Sequence, residues 1–359
     1  MNIKFLIRDL KIEGVQVVTV RLARLLQAKG HDVEIITLFH DIELPQLDDL
    51  TISCLDIPAP VRCERTMLTR FKAWYHDAEF DYLIAPHSES IKLIAHFSDS
   101  RLIPFIHNSD ECSYNQRSFF KRFRYRTRLA KRLKGKHVIS VSESIRKFTT
   151  QCCGDRLLSA NVLYNPFDVE TIRHYACEKE GLAIPEEYVL FVGRLEKQKR
   201  VDRLLTAFSY VKNPTIKLVI LGEGSLELEL KRQAEQLNLG ERVLFKKFDT
   251  NPYPIIKEAK AVVLTSDHEG LPTVIIEALI LGTVALSVNC PSGPDEILTG
   301  ELSKYLIHSY DEHVIAEHID ALLEEKSIPD LSVGYEKFTA EQVYQSFMAI
   351  AAQWHNNKH

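Results

Sequence analysis

Short apolar runs alternate with amphipathic stretches of ten to twenty residues along most of this chain. This alternation constrains the fold, because strands separated by crossover helices form a parallel sheet with helices on both faces. One such helix is predicted over residues 15–29, where Val18, Leu22, Leu25 and Leu26 share a face. The predicted strands are residues 3–7, 32–38, 82–85, 102–106, 137–141 and 160–164, then 188–192, 217–221, 243–245, 261–264, 284–287 and 305–307. We therefore expect an α/β protein built from doubly wound sheets.

The chain is long enough for two domains, since its 359 residues exceed what one hydrophobic core usually supports. Asn165 and Pro166 interrupt regular structure, and the polar residues 169–187 that follow are expected to be less regular. We predict an N-terminal Rossmann-like domain at 1–167, a C-terminal one at 168–338, and a final helical segment at 339–359 that packs on either domain. Ligands of open α/β sheets bind at the carboxyl ends of the strands, so the two domains would face a central cleft.

Composition excludes several classes of protein. A chain with 45% hydrophobic and 26% charged residues is ordinary for a soluble globular protein. No run of eighteen apolar residues is present, and the first apolar run is too short for a signal peptide. The net charge of -4 argues against a general nucleic-acid binder. Residues 1–168 hold 25 Lys and Arg against 20 Asp and Glu, whereas the remainder holds 20 against 29. We expect a cytoplasmic protein.

The seven cysteines give no sign of a metal site or a disulfide framework. They stand at positions 54, 63, 112, 152, 153, 177 and 290, with no Cys-x-x-Cys and no Cys/His pair at zinc spacing. Cys152 and Cys153 are the only close pair. Free thiols in a reducing compartment are the simplest interpretation.

The densest chemical pattern is the segment Asp-His-Glu-Gly-Leu-Pro-Thr-Val-Ile-Ile-Glu-Ala at residues 267–278. It follows a predicted strand and opens a helix with Pro272 in the first turn. Glu269 would lie on the loop and Glu277 about one turn inside the helix, so both carboxylates can face one crevice. The amides of Thr273 and Val274 at the helix N-terminus would form an anion site. Carboxylates can bind the hydroxyls of a sugar, and a helix N-terminus can bind a phosphate. The two together suit a nucleotide sugar.

Two Glu residues separated by seven others, after a strand and into a helix, resemble the signature of retaining GT-B glycosyltransferases of family 4, the group 1 glycosyl transferases. The similarity extends to Phe-Val-Gly-Arg-Leu-Glu-Lys-Gln-Lys at 191–199, Leu-Gly-Glu-Gly at 221–224, Asn-Pro-Tyr at 251–253 and Cys-Pro-Ser-Gly-Pro-Asp-Glu-Ile at 290–297. It covers residues 188–298 in the family's order and spacing. The first half resembles the family more loosely. The resemblance implies a GT-B fold: two Rossmann-like, doubly wound parallel-sheet domains facing a central cleft.

The resemblance also implies a role for each matching residue. Glu269 would hold donor-sugar hydroxyls with the amides of Gly270 and Leu271, and Glu277 would accept hydrogen bonds from the ribose. The implied catalytic residues are Glu269, Arg194, Lys199 and His107. The implied donor-binding residues are Gly14 in a phosphate-approaching loop, Gly222, Glu223 and Phe248 around the nucleoside, and Gly270, Leu271, Thr273, Val274 and Glu277.

Charge stabilisation is expected to come from the protein rather than from a metal. Departure of a nucleoside diphosphate builds negative charge on a phosphate oxygen, and the sequence contains no Asp-x-Asp, the usual metal-holding motif of glycosyltransferases. Arg194, Lys199 and the helix start at Thr273 would stabilise that charge. We expect no cofactor and no metal. The family retains anomeric configuration, a result attributed to front-face attack with the leaving diphosphate deprotonating the acceptor, so no side-chain nucleophile is assigned.

Several of these positions have simpler structural interpretations. His107 could be a satisfied core histidine, Gly14 a tight strand-to-helix turn, and Gly222 part of an ordinary turn. The chain also departs from the family pattern. It has one glycine in the first loop where two are common, Arg200 where glycine is common, and Lys247 where a small residue is frequent.

A basic run lies between Arg117 and Lys136, with ten Lys and Arg residues and no acid. The apolar residues Phe119, Phe120, Phe123, Tyr125 and Leu129 interleave with these charges. One interpretation is a solvated helix face whose aromatic residues enter the core. The other is a peripheral patch that meets anionic lipid, since membrane-associated members of the family use a similar basic element to reach lipid-linked acceptors.

The predicted function is transfer of a sugar from a nucleotide sugar, with UDP-sugar preferred over GDP-sugar. The resemblance at 251–253 and 290–294 implies a glycan or lipid-linked acceptor in bacterial-type surface polysaccharide or lipopolysaccharide synthesis. The protein would be cytoplasmic or peripheral on the inner face of the cytoplasmic membrane. Two alternatives remain. A nicotinamide oxidoreductase would need Gly-x-Gly-x-x-Gly after the first strand, and residues 8–14 lack it. A non-catalytic sugar-nucleotide-binding protein could use the same fold.

Overall fold

The computed structural model describes residues 1–57, 64–108, 110–178, 184–247 and 251–356. The chain divides into two compact units. The first comprises Met1–Phe167 and the C-terminal segment from Ala340, and the second comprises Asp168–Thr339. Each unit has its own parallel β-sheet, as the alternation of apolar and amphipathic segments predicted.

The first unit contains a seven-stranded sheet in the order β3-β2-β1-β4-β5-β6-β7. Its strands are β1 (Asn2–Ile7), β2 (Asp32–Thr37), β3 (Thr51–Cys54), β4 (Tyr82–Ala85), β5 (Leu102–Ile106), β6 (His137–Ser140) and β7 (Ser159–Val162). Its helices are α1 (Gly14–Ala28), α2 (Glu64–Asp77), α3 (Ser88–Ile94), α4 (Glu111–Asn115), α5 (Phe119–Leu133), α6 (Glu143–Cys153) and, after the second unit, α15 (Ala340–Asn356). The sequence missed β3, because this edge strand is half exposed and lacks an apolar run.

Helix α15 packs on the first unit through a buried aromatic contact. The ring of Trp354, only 1% exposed, meets the ring of Tyr82 on β4 at a centroid distance of 5.0 Å. The Tyr82 hydroxyl donates to the Ala351 carbonyl at 3.3 Å. Lys29 Nζ, just after α1, forms a salt bridge with Glu341 Oε2 at 2.6 Å. The final helix is therefore part of the first unit's core, although the sequence left its packing partner open.

The second unit contains a six-stranded sheet in the order β10-β9-β8-β11-β12-β13. Its strands are β8 (Tyr188–Val192), β9 (Lys217–Leu221), β10 (Val243–Lys246), β11 (Ala261–Leu264), β12 (Val284–Val288) and β13 (Leu306–Ile307). Its helices are α7 (Val169–Tyr175), α8 (Val201–Ser209), α9 (Glu227–Gln236), α10 (Tyr253–Glu258), α11 (Thr273–Ile280), α12 (Pro294–Ile297), α13 (Glu312–Leu323) and α14 (Ser332–Tyr335). Strands β8, β11 and β12 are completely buried, as their continuous apolar sequences require.

Helix α7 is a regular element that was not predicted within the less regular segment 169–187. Asp168 begins it as an N-cap, since its Oδ1 accepts from the Thr171 amide at 3.0 Å and its Oδ2 from the Thr171 hydroxyl at 2.8 Å. At the other end, Asn251 Nδ2 donates to the Tyr175 carbonyl at 2.9 Å. Asn251, singled out in the sequence for its resemblance to the family, thus has a structural contact at the end of this helix.

Helix α5 contains most of the basic run, and its apolar side chains divide between core and solvent. Tyr125 and Leu129 pack against a buried cluster that includes Phe148. Phe119, Phe120 and Phe123 are 77%, 78% and 64% exposed, so the interpretation that placed the aromatic residues in the core is wrong for these three. Lys136 also departs from the expected patch. It is buried, and its Nζ donates to the carbonyls of Phe97 and Asp99 at 2.7 and 2.8 Å. Among the helices of the described residues, none combines the length and the apolar character that a bilayer span requires.

Candidate active site

The topology of the second sheet selects one edge for ligand binding. Strand β8 lies between β9 and β11, so the chain leaves β8 toward one side of the sheet and leaves β11 toward the other. The loops that follow these strands, residues 193–200 and 265–272, therefore start side by side at the carboxyl edge and lead to opposite sides of the sheet. In open α/β sheets this switch point is where ligands bind. Arg194, Lys199 and Glu269 all belong to these two loops.

Lys199 and Glu269 form an ion pair across the switch point. Lys199 Nζ lies 2.7 Å from Glu269 Oε1 and 3.0 Å from Oε2. The two side chains are 18% and 8% exposed, so the pair is largely shielded from water. Ser266 Oγ donates to Glu269 Oε1 at 2.6 Å. These contacts fix a carboxylate and an ammonium group side by side at the end of the sheet.

Backbone contacts hold the two loops together. The Asp267 amide donates to the Gln198 carbonyl at 2.9 Å, and Gln198 Nε2 donates to the His268 carbonyl at 2.7 Å. Arg200 Nη1 and Arg203 Nη2 both donate to Asp267 Oδ1, at 3.2 and 2.9 Å. No role at the site was predicted for Ser266, Asp267 or Arg203. The hydroxyl and the carboxylate that precede Glu269 in the sequence could have indicated the first two.

Helix α11 begins directly after the loop that carries Glu269. Pro272 is its N-cap and the helix starts at Thr273, the predicted helix start. No side chain caps these first amides, and the first turn carries no acid. The amides of Thr273 and Val274 thus keep their partial positive charge for an anion.

The backbone just before α11 is held by a second loop. A Cβ on Gly293 would come within 2.5 Å of Pro272 Cδ and 3.1 Å of Leu271 Cα, and Gly293 has a φ of 108°. The Glu269 amide donates to the Pro291 carbonyl at 3.1 Å. Gly270 and Leu271 therefore lie in a segment whose path the 291–293 loop fixes.

Glu277 and Arg194 occupy contrasting environments. Glu277 is 8% exposed and lies on α11, one turn beyond Thr273. Arg194 is exposed, and in the described part of the chain its guanidinium has no hydrogen-bond or salt-bridge partner. An exposed, unpaired guanidinium on the switch-point loop is available to an anionic ligand.

Gly222 is required by a close backbone approach rather than by a turn alone. A Cβ there would lie 1.9 Å from the Gly193 carbonyl oxygen, and one on Gly224 would lie 2.4 Å from the Leu195 carbonyl oxygen. The loops after β8 and β9 therefore touch through glycine. Glu223 is exposed and pairs loosely with Lys247 at 3.7 Å. Phe248, predicted to line the nucleoside pocket, lies outside the described residues.

In the first unit, His107 directly follows β5 and is held neutral by burial. Burial, with a smaller contribution from the charge of His87, lowers the pKa of His107 to about 3. Its Nε2 is buried without a hydrogen-bond partner among the described residues, so it is not the satisfied core histidine of the simpler interpretation. His87 contacts Glu89, whose pKa it lowers.

Gly14 is the first residue of α1. It is exposed, has no positive φ, and a Cβ there would meet nothing within 4 Å. The structure therefore gives no conformational reason for glycine at this position, and the tight-turn interpretation is wrong. The open backbone can be approached closely by a ligand.

Two family profiles match the chain and together cover most of it. The profile described as "Glycosyl transferases group 1" matches residues 177–336, and "Glycosyltransferase Family 4" matches residues 12–171. The chain belongs to the group 1 glycosyltransferase family. This membership sets aside the nicotinamide oxidoreductase alternative and agrees with the resemblance seen in the motifs.

Relatives of this group 1 protein include bacterial glycosyltransferases. It is 33% identical over 167 residues to a Campylobacter jejuni N-acetylgalactosaminyltransferase named for a diphospho-undecaprenol acceptor, covering 46% of this chain and 45% of the relative. It is 31% identical over 198 residues to the lipopolysaccharide 1,6-galactosyltransferase of Escherichia coli, covering 52% of each. The chain thus spans about half the length of the curated relatives it matches.

Solved structures identify the fold as GT-B. The HepE protein of Anabaena in complex with UDP superposes with a TM-score of 0.78 at 18% identity, covering 98% of this chain and all of that one. The apo form of the lipopolysaccharide outer core galactosyltransferase WaaB gives a TM-score of 0.71 at 17% identity, with 98% and 99% coverage.

The departure at Arg200 has a structural explanation. Arg200 adopts a left-handed conformation with a φ of 50° and a ψ of 45°, which is why glycine suits this family position. Its guanidinium bonds Asp202 and Asp267, at 3.0 and 3.2 Å. These bonds offset the backbone strain that a non-glycine residue carries here.

Proposed function

We propose that this group 1 protein is a retaining, metal-independent glycosyltransferase that moves a sugar from a nucleotide sugar to a glycan or lipid-linked glycan acceptor. One observation carries the proposal: the Lys199–Glu269 pair lies beside the uncapped start of α11 at the switch point of the second sheet. A sugar needs oxygen acceptors for its hydroxyls, and a diphosphate needs cations and free amides. This edge of the sheet supplies both.

Each group has a defined task in the proposed reaction. Arg194 and the Thr273 and Val274 amides bind the diphosphate, while Glu269 accepts hydrogen bonds from donor-sugar hydroxyls. Lys199 pairs with Glu269 and faces the same diphosphate. As the bond between the anomeric carbon and the phosphate oxygen breaks, both bonding electrons pass to that oxygen, and the fixed positive groups stabilise it. The acceptor oxygen bonds to the anomeric carbon, and its proton passes to the departing diphosphate.

The donor is proposed to be a UDP-sugar. Solved neighbours crystallised with UDP, UDP with glucose, and UDP-glucose support this choice. The acceptor is proposed to be a growing bacterial-type surface glycan. The relatives named above support this choice, since one is named for a diphospho-undecaprenol acceptor and the other for lipopolysaccharide. In the proposed reaction, no metal ion at the switch point is needed to bind UDP or the acceptor.

A thermal-shift screen with UDP, GDP and their common sugars tests the donor. A ligand at 100 times its dissociation constant adds about 2.7 kcal/mol of stability, so the correct nucleotide raises the midpoint visibly. Slow release of nucleoside diphosphate from the stabilising donor is expected, because a pure binding protein releases none.

Once an acceptor is found, NMR of the product is expected to show the anomeric configuration of the donor. Inversion would contradict the retaining mechanism.

We also propose that α5 places the protein on anionic membrane surfaces. Three exposed phenylalanines, Phe119, Phe120 and Phe123, lie on the same helix as Lys121, Arg124, Arg128 and Lys131. Aromatic side chains enter the headgroup boundary, and each basic residue near an anionic surface contributes about 1 kcal/mol. This arrangement would bring the enzyme to lipid-linked acceptors.

Sedimentation with vesicles tests the membrane proposal. Binding to phosphatidylglycerol vesicles is expected, with release in high salt and loss of binding in the Phe119→Ala/Phe120→Ala variant. Tyr210→Ala, which removes an exposed aromatic residue of the second unit, is the matched control and is expected to leave binding unchanged. Equal binding to neutral phosphatidylcholine vesicles, or unchanged binding of the double variant, would contradict the proposal.

A further inference from the structure

Three side chains that can ligate a metal ion meet where β2 and β3 end in the first unit. His40 follows β2, Cys54 ends β3, and Asp56 lies two residues later. Pairing of β2 with β3 places Thr37 opposite Cys54. The backbone pairing continues beyond the strands, since the Leu55 amide donates to the Thr37 carbonyl at 2.9 Å. The sheet itself therefore brings together residues that the sequence separates.

The ligand atoms of His40, Cys54 and Asp56 all lie within 4.8 Å of one another. His40 Nε2 contacts Asp56 Oδ1, and the Asp56 amide donates to Cys54 Sγ at 3.4 Å. Tetrahedral zinc has bonds of about 2.3 Å to sulfur and about 2.0–2.2 Å to nitrogen or oxygen, which separates its ligand atoms by about 3.3–3.6 Å. The side chains of His40 and Asp56 are 74% and 65% exposed, so neighbouring residues restrict their rotation toward that spacing very little.

We propose that His40, Cys54 and Asp56 bind one zinc ion, with water in the fourth position. A set of one imidazole, one thiolate and one carboxylate suits zinc and disfavours magnesium and calcium, which take oxygen ligands. On binding, the Cys54 thiol releases its proton to solvent and the thiolate forms the metal–sulfur bond. The ion would cross-link the ends of β2 and β3.

The ion would keep one coordination position open to water. The site stands independently of the proposed sugar transfer. The sequence spacing did not reveal it, because His40 is fourteen residues before Cys54 and neither forms a Cys-x-x-Cys or His-x-His pattern. Only the register of β2 and β3 makes them neighbours.

Cobalt(II) titration of the full chain, after chelator treatment and desalting, tests the site. We expect one cobalt per chain with a near-ultraviolet thiolate-to-cobalt charge-transfer band, which zinc displaces. Cys54→Ser is expected to abolish the band. His40→Gln and Asp56→Asn are expected to weaken binding at least about tenfold, since even outer-shell changes cost that much.

Two control variants match the test variants in chemistry. Cys112→Ser removes another partly exposed thiol of the first unit. His76→Gln removes an exposed histidine that also contacts an aspartate, Asp77, at 3.1 Å. Both are expected to bind cobalt as the wild type does. A wild-type protein without the charge-transfer band, a band that survives in Cys54→Ser, or a band that zinc fails to displace would overturn the proposal.

Discussion

Replacing Lys199 with methionine would leave the Glu269 carboxylate without its cation. The carboxylate would keep one side-chain hydrogen bond, from Ser266 at 2.6 Å, and its side chain is only 8% exposed with Lys199 in place. Removing one partner of a fully buried ion pair costs about 3–5 kcal/mol. Because the Lys199 side chain is 18% exposed, water can partly replace it, and we expect a loss of about 2–3 kcal/mol.

The assay is thermal and urea unfolding of four proteins: wild type, Lys199→Met, Glu269→Gln and the double variant. In a domain of this size, 2–3 kcal/mol corresponds to a fall of about 4–12 °C in the midpoint. The double variant removes both charges, so we expect it to be more stable than Lys199→Met. The coupling energy from the cycle is expected to be about 1–3 kcal/mol.

A matched control is the exposed pair of Lys260 and Glu187, which are 49% and 53% exposed in the same unit. Lys260→Met is expected to change stability by less than about 1 kcal/mol. If the Lys199 and Glu269 changes proved additive, or if Lys199→Met were as mild as Lys260→Met, the ion pair would not hold the carboxylate as described.

Three further predictions concern the glycine contact, the neutral histidine and the unpaired arginine. Gly222→Ala should lower unfolding stability by at least about 1–3 kcal/mol, because its Cβ would lie 1.9 Å from the Gly193 carbonyl oxygen. Gly240→Ala, in open space, should be nearly neutral. The pKa of His107 falls from its usual 6.5 to about 3 on folding. Only the unfolded state then gains this proton, so unfolding stability should fall by up to about 1.4 kcal/mol per pH unit below pH 6.5. His107→Gln should lose that part of the slope in urea titrations. Arg194→Ala should keep wild-type stability but lower turnover by about 10²–10³, and wild-type turnover would remove its phosphate role.

The sheets were predictable because buried parallel strands must be apolar throughout. The run at 261–264 is an example, and it is a fully buried strand. Edge strand β3 was not predicted because its Thr-Ile-Ser-Cys sequence is half exposed. Helix α7 was not predicted because the Asp168 cap, rather than an apolar face, marks where it begins.

The site was partly predictable for a different reason. Glu269 and Lys199 could each be singled out from local motifs, but their pairing joins residues seventy positions apart. That contact exists only because β8 and β11 are neighbours in the sheet. The burial of Lys136 could not be predicted for the same reason. Its hydrogen bonds are accepted by the carbonyls of Phe97 and Asp99, which lie in a loop distant in sequence.

The central claim is that fixed positive groups, without a divalent cation, stabilise the departing diphosphate. Turnover of the cognate nucleotide sugar by chelator-treated enzyme tests it most directly, with the Cys54→Ser variant measured in parallel to separate any effect of the proposed zinc ion. We predict that both proteins keep their full rate in chelator and gain nothing from added magnesium or manganese. Enzyme that is inactive in chelator and recovers only when magnesium or manganese is returned would contradict the account.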